Sequence, residues 1–410
     1  MLRCFTKKLR PIGGAILVAL TGLLVACGGG GGAAGGGTIV SEVSPSAVGS
    51  RIFTDVNLSS PAGTACVNCH AAAQGFAGNN GSTIGVAMGS KSGSLGLRNA
   101  MTNSYSALVP PFSFIQGEDG KFEAEGGLLW DGRADTLEAQ GSGPFVHPLE
   151  MNNTEKDVVD KIAASSYAEL FKQVFGADVF NDTQAAFEKV TSALASFARA
   201  TLQPFSSKYD AMVRGELSFN RAESRGMALF MDPNKGNCAS CHLMDPTSRQ
   251  PSDSIFTEFT FYATGVPRNT AIPKNADPLF YDLGLCGPER TPPVLPQAVL
   301  DSGVSIDNFC GMFRMPTLRN VAERPAFMHN GFFKNLHDVV RFYATRNSNP
   351  VHWYGGDGTP NDLPAKYLGN IESVKAPFNR LAAQGPAMTE GEIDDVVAFL
   401  RTLSDGYRPR

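Results

Sequence analysis

Apolar positions along this chain recur at helical spacing. Val158, Val159, Ile162, Leu170, Phe171 and Val174 form one apolar face, with charged residues between them. Phe187, Val190, Leu194, Phe197 and Ala198 form a second, and Leu336, Val339, Val340 and Tyr343 a third. The last predicted helix opens on a capping-box pattern, Thr389-x-x-Glu392, and continues through Ile393, Val396, Val397 and Leu400. No long alternating pattern of the kind a strand needs competes. The fold class is therefore mainly α. A short phrase also repeats: Ile52-Phe53 and Ala228-Leu229-Phe230 each sit in a short helical stretch that leads into a polar loop.

The first residues break this pattern. Arg3, Lys7, Lys8 and Arg10 precede an apolar run from Ile12 to Ala26, which is short and Gly-interrupted for a membrane span. The run ends Leu24-Val25-Ala26-Cys27, which looks like a bacterial lipobox, with Cys27 as the lipidation site. The alternative is an ordinary secretory signal with a coincidental Cys. Both imply export, with the protein on the periplasmic side of a bacterial membrane. Residues 1–26 are then a signal peptide and residues 27–48 a tether, almost pure Gly and Ala from Gly28 to Gly37. Any membrane contact would be through the N-terminal lipid.

Length and charge narrow the class. The 410 residues and 42% hydrophobic content suit two or three domain-sized units, and 44 Gly with 26 Pro suggest long irregular loops. The net charge is −4, and the leader holds four basic residues and no acids, which leaves the mature chain near −8. No basic block is present, which argues against nucleic-acid binding.

The chemistry lies in the cysteines, eight in all. Cys4 leaves with the leader and Cys27 is the lipid site. Cys66-Val67-Asn68-Cys69-His70 and Cys238-Ala239-Ser240-Cys241-His242 are two haem-attachment motifs. In each, two thiols add to the haem vinyl groups and the adjoining His reaches the iron. A zinc site would want further Cys or His nearby, and none follows either motif. The chain is thus expected to hold two covalently bound haem c groups, with His70 and His242 as proximal iron ligands. Two cytochrome-c-like domains follow, residues 49–207 and 208–410. Cys286 and Cys310 remain, and in an oxidising compartment they most simply pair as a disulfide across a Pro-rich loop.

From about Ile52 to Leu403 the chain resembles the bacterial diheme cytochrome c peroxidases and their relative MauG. The phrases that carry the resemblance are Leu129-Trp130-Asp131-Gly132-Arg133-Ala134, Pro316-Thr317-Leu318-Arg319-Asn320-Val321 and Met328-His329-Asn330-Gly331. The resemblance implies a peroxide site at the first haem and an electron-relay haem at the second. Trp130 matches the Trp between the haems. Gln140, Pro144 and Glu150 match distal-side residues, and His329 a His near the first haem. Asn99 matches a calcium ligand, although Arg324 and Ala326 replace two residues of that shell. Where some members place a blocking His, sixteen residues after the proximal one, this chain has Val86, which would leave the first site open. Met88 is an alternative ligand there. Tyr343 falls where the peroxidases place the Met ligand of the second haem and MauG a Tyr, with Met312, Met315 and Met328 as spare candidates. The surface Trp that MauG places two residues before its second motif is Gly236 here.

The expected activity is reduction of hydrogen peroxide, with electrons from a small redox protein. The alternatives are a MauG-like oxidase of a partner protein's side chain, and a plain electron-carrier cytochrome.

Overall fold

Ser44 caps the first helix by accepting the Ala47 N–H at 3.2 Å, and Pro45 occupies the first turn, where an N–H has no helical partner. The structure, a computed structural model, describes residues 43–117 and 119–408. The signal peptide, Cys27 and most of the tether lie outside the described residues. In chain order the helices are α1 (Pro45–Thr54), α2 (Cys66–Cys69), α3 (Leu137–Val146), α4 (Glu155–Ala163), α5 (Ala168–Phe175) and α6 (Thr183–Thr201). They continue as α7 (Lys208–Val213), α8 (Arg221–Met231), α9 (Gln297–Asp301), α10 (Leu336–Thr345), α11 (Pro350–Tyr354) and α12 (Glu390–Arg401). The chain is mostly helical with few strands. The capping box at Thr389 is formed, with Glu392 N–H donating to its hydroxyl at 3.3 Å and Thr389 N–H to the Glu392 carboxylate at 2.8 Å.

One predicted face is split. Val158 to Ile162 lie on α4, but Leu170 to Val174 lie on α5. Ser165 sits between them. Its hydroxyl donates to the Ile162 carbonyl at 2.7 Å and accepts the Tyr167 N–H at 3.3 Å. A hydroxyl that serves backbone on both sides competes with the helical ladder, so the chain turns there.

Each half buries its own apolar core. In the first, Val48 and Ile52 of α1 pack with Val190 and Ala193 of α6. In the second, Phe230 of α8 meets Phe399 of α12 with ring centroids 5.3 Å apart. A glycine makes each crossing possible. A Cβ on Gly49 would lie 2.1 Å from the Ala193 carbonyl oxygen, and one on Gly226 would lie 1.9 Å from that of Asp395. The repeated phrase is therefore longer than its apolar pair. Gly49-x-x-Ile52-Phe53 and Gly226-x-x-Leu229-Phe230 each combine a bare backbone contact with the apolar residues that follow it.

The halves are welded by buried charge. Arg98 Nη1 lies 2.7 Å from Asp131 and its Nε 2.6 Å from Asp282. Burial alone would lower the guanidinium pKa, but the two carboxylates hold it above its ordinary value. Two small antiparallel ladders lie beside this weld. β1 (Ser113–Gln116) pairs with β2 (Phe122–Glu125), setting Phe114 opposite Ala124, and β3 (Phe261–Tyr262) pairs with β4 (Phe313–Arg314), setting Phe261 opposite Arg314. Ala124, Phe261, Leu285 and Phe309 share one apolar cluster across them. Cys286 and Cys310 form a disulfide with Cα atoms 5.1 Å apart. Among the described residues no helix is long and apolar enough to cross a membrane.

Gly226→Ala is expected to cost about 1–3 kcal/mol or more by overpacking the α8–α12 crossing. Gly391→Ala, on α12 with nothing within 4 Å of the point where a Cβ would stand, is expected to hold or raise stability. Denaturant titration of both variants checks this; equal midpoints would remove the close crossing as the reason for the glycine.

Candidate active site

The two attachment motifs differ in local form but share one hydrogen bond. Cys66 and Cys69 sit on the single turn α2, while Cys238 begins a 3-10 turn. In the first, His70 Nδ1 donates to the Phe76 carbonyl at 2.9 Å. In the second, His242 Nδ1 donates to the Phe256 carbonyl at 2.9 Å. Both phenylalanines are left-handed, with φ of 57° and 54°. That unusual backbone turns each carbonyl back toward its imidazole. With Nδ1 committed, Nε2 of each ring is left as the ligand atom. Burial lowers the pKa of both rings, His242 to about 4, which keeps them neutral. Burial also pushes the Cys66, Cys69 and Cys238 thiols up to about 12.

The first motif opens on a cavity of about 790 Å³. Cys66, Cys69 and His70 line it, and so do Trp130, Gln140, Pro144 and Glu150. Gln140 and Pro144 come from α3, and Glu150 from the turn after it, where its N–H donates to the His147 carbonyl at 3.0 Å. Met88 also lines the cavity, whereas Val86 is fully buried and does not. The Glu150 side chain exposes 44% of its surface, but the exposure is into the cavity, and desolvation raises its pKa. His147 and Arg133 lower it in part, and Glu289 raises it.

Haem fits this wall. The thiols and the His70 ring line one space, and Arg314 adds a buried cation with no carboxylate ion pair among the described residues. Its Nε donates to the Leu129 carbonyl at 3.1 Å, and burial lowers its pKa to about 10. A buried cation in a cavity wall, only partly offset by Asp131, suits an anionic group such as a haem carboxylate.

Trp130 is buried, and its Nε1–H donates to the Asn99 carbonyl at 2.8 Å. His329 does not line the cavity. It lies behind Trp130, with ring centroids 6.5 Å apart, and stacks on Phe313 at 3.6 Å. Its Nε2 is 3.1 Å from Asp362. Asn99 Oδ1 is buried without a hydrogen-bond partner, while its Nδ2 donates to the Ala326 carbonyl at 3.0 Å. One orphaned oxygen fits a cation, but the Ala326 carbonyl is already in use. Tyr343, on α10, stacks on Phe378 with centroids 5.0 Å apart. Burial, then the nearby Cys241 and Cys238, raise its hydroxyl pKa.

Sequence reasoning missed several residues here. Glu289 and Arg314 reach the first cavity from the second half of the chain. His147 does so within the predicted distal segment, and its place between Pro144 and Glu150 was the available signal. Asp362 had none.

Two haem-attachment motifs on a mainly helical scaffold define a c-type di-haem protein. A family model, Di-haem cytochrome c peroxidase, matches residues 44–218. The methylamine utilization protein MauG of Paracoccus denitrificans is 32% identical over 370 residues, 89% of each chain. Cytochrome-c peroxidase IdrP1 of a Pseudomonas species is 26% identical over 375 residues, covering 87% of this chain and 80% of that one. Among solved structures, the diheme peroxidase BthA from Burkholderia thailandensis aligns with a TM-score of 0.80 and 38% identity, covering 88% of this chain and 86% of that one. The chain belongs to the di-haem cytochrome c peroxidase family, which includes MauG. It is an oxidoreductase of peroxidase-like redox activity, and membership implies two haem c groups.

The exported protein should give a pyridine haemochrome value of two haems per chain. Replacing Cys66 and Cys69 together by Ala should halve it; an unchanged value would remove that motif from haem attachment.

Proposed function

We propose that this protein reduces hydrogen peroxide at an open first haem site, with the second haem storing or relaying oxidising equivalents. The observation that carries the reading is the meeting of His70, Gln140, Glu150 and Trp130 around one cavity. Val86 lies outside that wall, which supports an open site. His70 and Cys66 with Cys69 would hold the first haem, and His242 and Cys238 with Cys241 the second, each within its own domain, 49–207 and 208–410. Haem iron, when bound, supplies the centre at which the peroxide O–O bond is cleaved.

The protein's part is proton and electron traffic. Glu150 takes a proton from the nearer peroxide oxygen and returns it to the leaving one. Its raised pKa suits both roles, since the group exchanges a proton more readily near neutral pH than an ordinary carboxylate does. Gln140 orients the peroxide by hydrogen bonding, and Pro144 shapes the distal wall. Trp130, with His329 behind it, carries an electron between the two sites. Tyr343 would ligate the second haem, where an anionic phenolate would favour the oxidised state more than a thioether would. Asn99 would offer its orphaned Oδ1 to a calcium ion. The protein is periplasmic and lipid-anchored at Cys27, and a small redox protein supplies electrons.

A second reading, oxidation of a side chain on a partner protein, is favoured by the likeness to MauG. Gly236 weighs against it, because no Trp stands before the second motif.

Mixing the resting oxidised protein with peroxide tests the main reading by optical and EPR spectroscopy. A high-spin signal should vanish on mixing; two low-spin haems that ignore peroxide would sink the open site. The rate should climb with pH through an apparent pKa above the ordinary carboxylate range, because Glu150 must be deprotonated to act as base. Glu150→Gln should remove that limb and slow the reaction by about 10²–10⁴-fold. Tyr343→Met should raise the reduction potential of the second haem, measured by spectroelectrochemistry; an unchanged potential would take Tyr343 off the iron.

A further inference from the structure

At the mouth of the first cavity, an imidazole stands between two carboxylates. His147 follows α3 directly. Its Nδ1 lies 3.8 Å from Glu150 Oε1, and its Nε2 lies 3.8 Å from Glu289 Oε2. Arg133 Nη2 is 3.6 Å from the same Glu289 oxygen, and its Nη1 is held by Asp131 at 2.8 Å. All four of Arg133, His147, Glu150 and Glu289 line the cavity. The His147 side chain is 29% exposed, which is enough to meet water.

The tautomer is set by the backbone. Leu149 N–H donates to His147 Nδ1 at 3.3 Å. The neutral ring therefore keeps its proton on Nε2, the nitrogen that faces Glu289. A second proton can enter only at Nδ1, the nitrogen that faces Glu150. Doubly protonated, the ring would give up the Leu149 N–H and turn its Nδ1–H toward Glu150, while Nε2–H stays toward Glu289, which would balance the charge as the Asp of a catalytic triad does. The 3.8 Å separations are ion-pair distances that one water or a small rotation closes.

We propose that His147 is the proton donor that recharges Glu150 from solvent, with Glu289 as its positioning counter-charge. This rests on the peroxide reading above. Peroxide reduction takes H₂O₂, two electrons and two protons to two waters. When the O–O bond breaks, the leaving oxygen departs as water with the peroxide's own protons, shuttled by Glu150. The second oxygen needs two electrons, from the redox partner, and two protons from outside. Each of those passes from water to His147 Nδ1, then to Glu150 Oε1, then to that oxygen. The neutral ring is restored with Nε2–H still facing Glu289.

The two phases separate the two readings. Stopped-flow mixing of holoenzyme with peroxide, then with a small-molecule electron donor in weak buffer and a pH-indicator dye, follows peroxide reaction and proton uptake in turn. His147→Ala should slow proton uptake at least about ten-fold more than it slows the peroxide phase, and millimolar imidazole should restore it. Glu289→Gln should slow proton uptake more than the peroxide phase, and Glu289→Asp should restore uptake in part, because it returns the counter-charge. Wild-type uptake in His147→Ala would overturn the proposal. So would equal slowing of both phases without imidazole rescue, which would mark a structural role. Glu150→Gln reports on the underlying reading alone: an unchanged peroxide phase in that variant would remove Glu150, and with it the relay.

Discussion

Two half-buried imidazoles each give Nδ1–H to the carbonyl of a phenylalanine in left-handed conformation, His70 to Phe76 and His242 to Phe256. A left-handed bulky residue costs on the order of 1–3 kcal/mol, so the surrounding structure must over-determine it. In the second half that structure is the α8–α12 crossing, where Phe256 packs on Phe230 and Phe399 with ring centroids 6.1 and 6.2 Å away. Gly49 and Gly226 let α1 meet α6 and α8 meet α12 at backbone contact, and the chain leaving α1 and α8 then leads into each motif. The direction of the His242 ring nitrogen thus depends on the core that α8 and α12 build.

The two halves diverge beyond that shared device. The first motif faces a cavity of about 790 Å³ whose wall includes Glu289 and Arg314 from the second half. The Cys286–Cys310 disulfide closes the loop that carries Glu289, and Arg98 ties Asp131 of one half to Asp282, just before that loop. The distal side of the first site is therefore a product of the interface. Neither half alone would hold Glu289 beside His147.

Buried charge recurs through the structure with unequal compensation. Arg98 is balanced by two carboxylates and its pKa rises. Arg314 and Arg324 are buried with no carboxylate ion pair among the described residues, and each falls to about 10. A folded chain tolerates such cations when a buried anionic group completes the site. The carboxylates of a haem are of that kind, and Arg314, which lines the first cavity, is placed to meet one.

By itself the sequence determined several apolar helical faces and both attachment motifs, and its family resemblance set Gln140, Pro144 and Glu150 on one short segment, which the structure brings to the first cavity. Those features depend on spacing within one turn, one helix or one short segment, where a residue's neighbours in sequence are its neighbours in space. Tertiary structure decided the rest. The Phe carbonyls that orient the two His rings stand at different distances along the chain from their motifs, so no common spacing marks them. His329 sits behind Trp130 and not on the cavity, because Phe313 and Asp362 from distant segments hold its ring. Ser165 split a continuous apolar face by satisfying backbone that the helix would have used. Glu289 joins the site only through the fold of a stapled loop, since an ion-pair distance between remote residues is a property of packing and has no signature in a linear pattern.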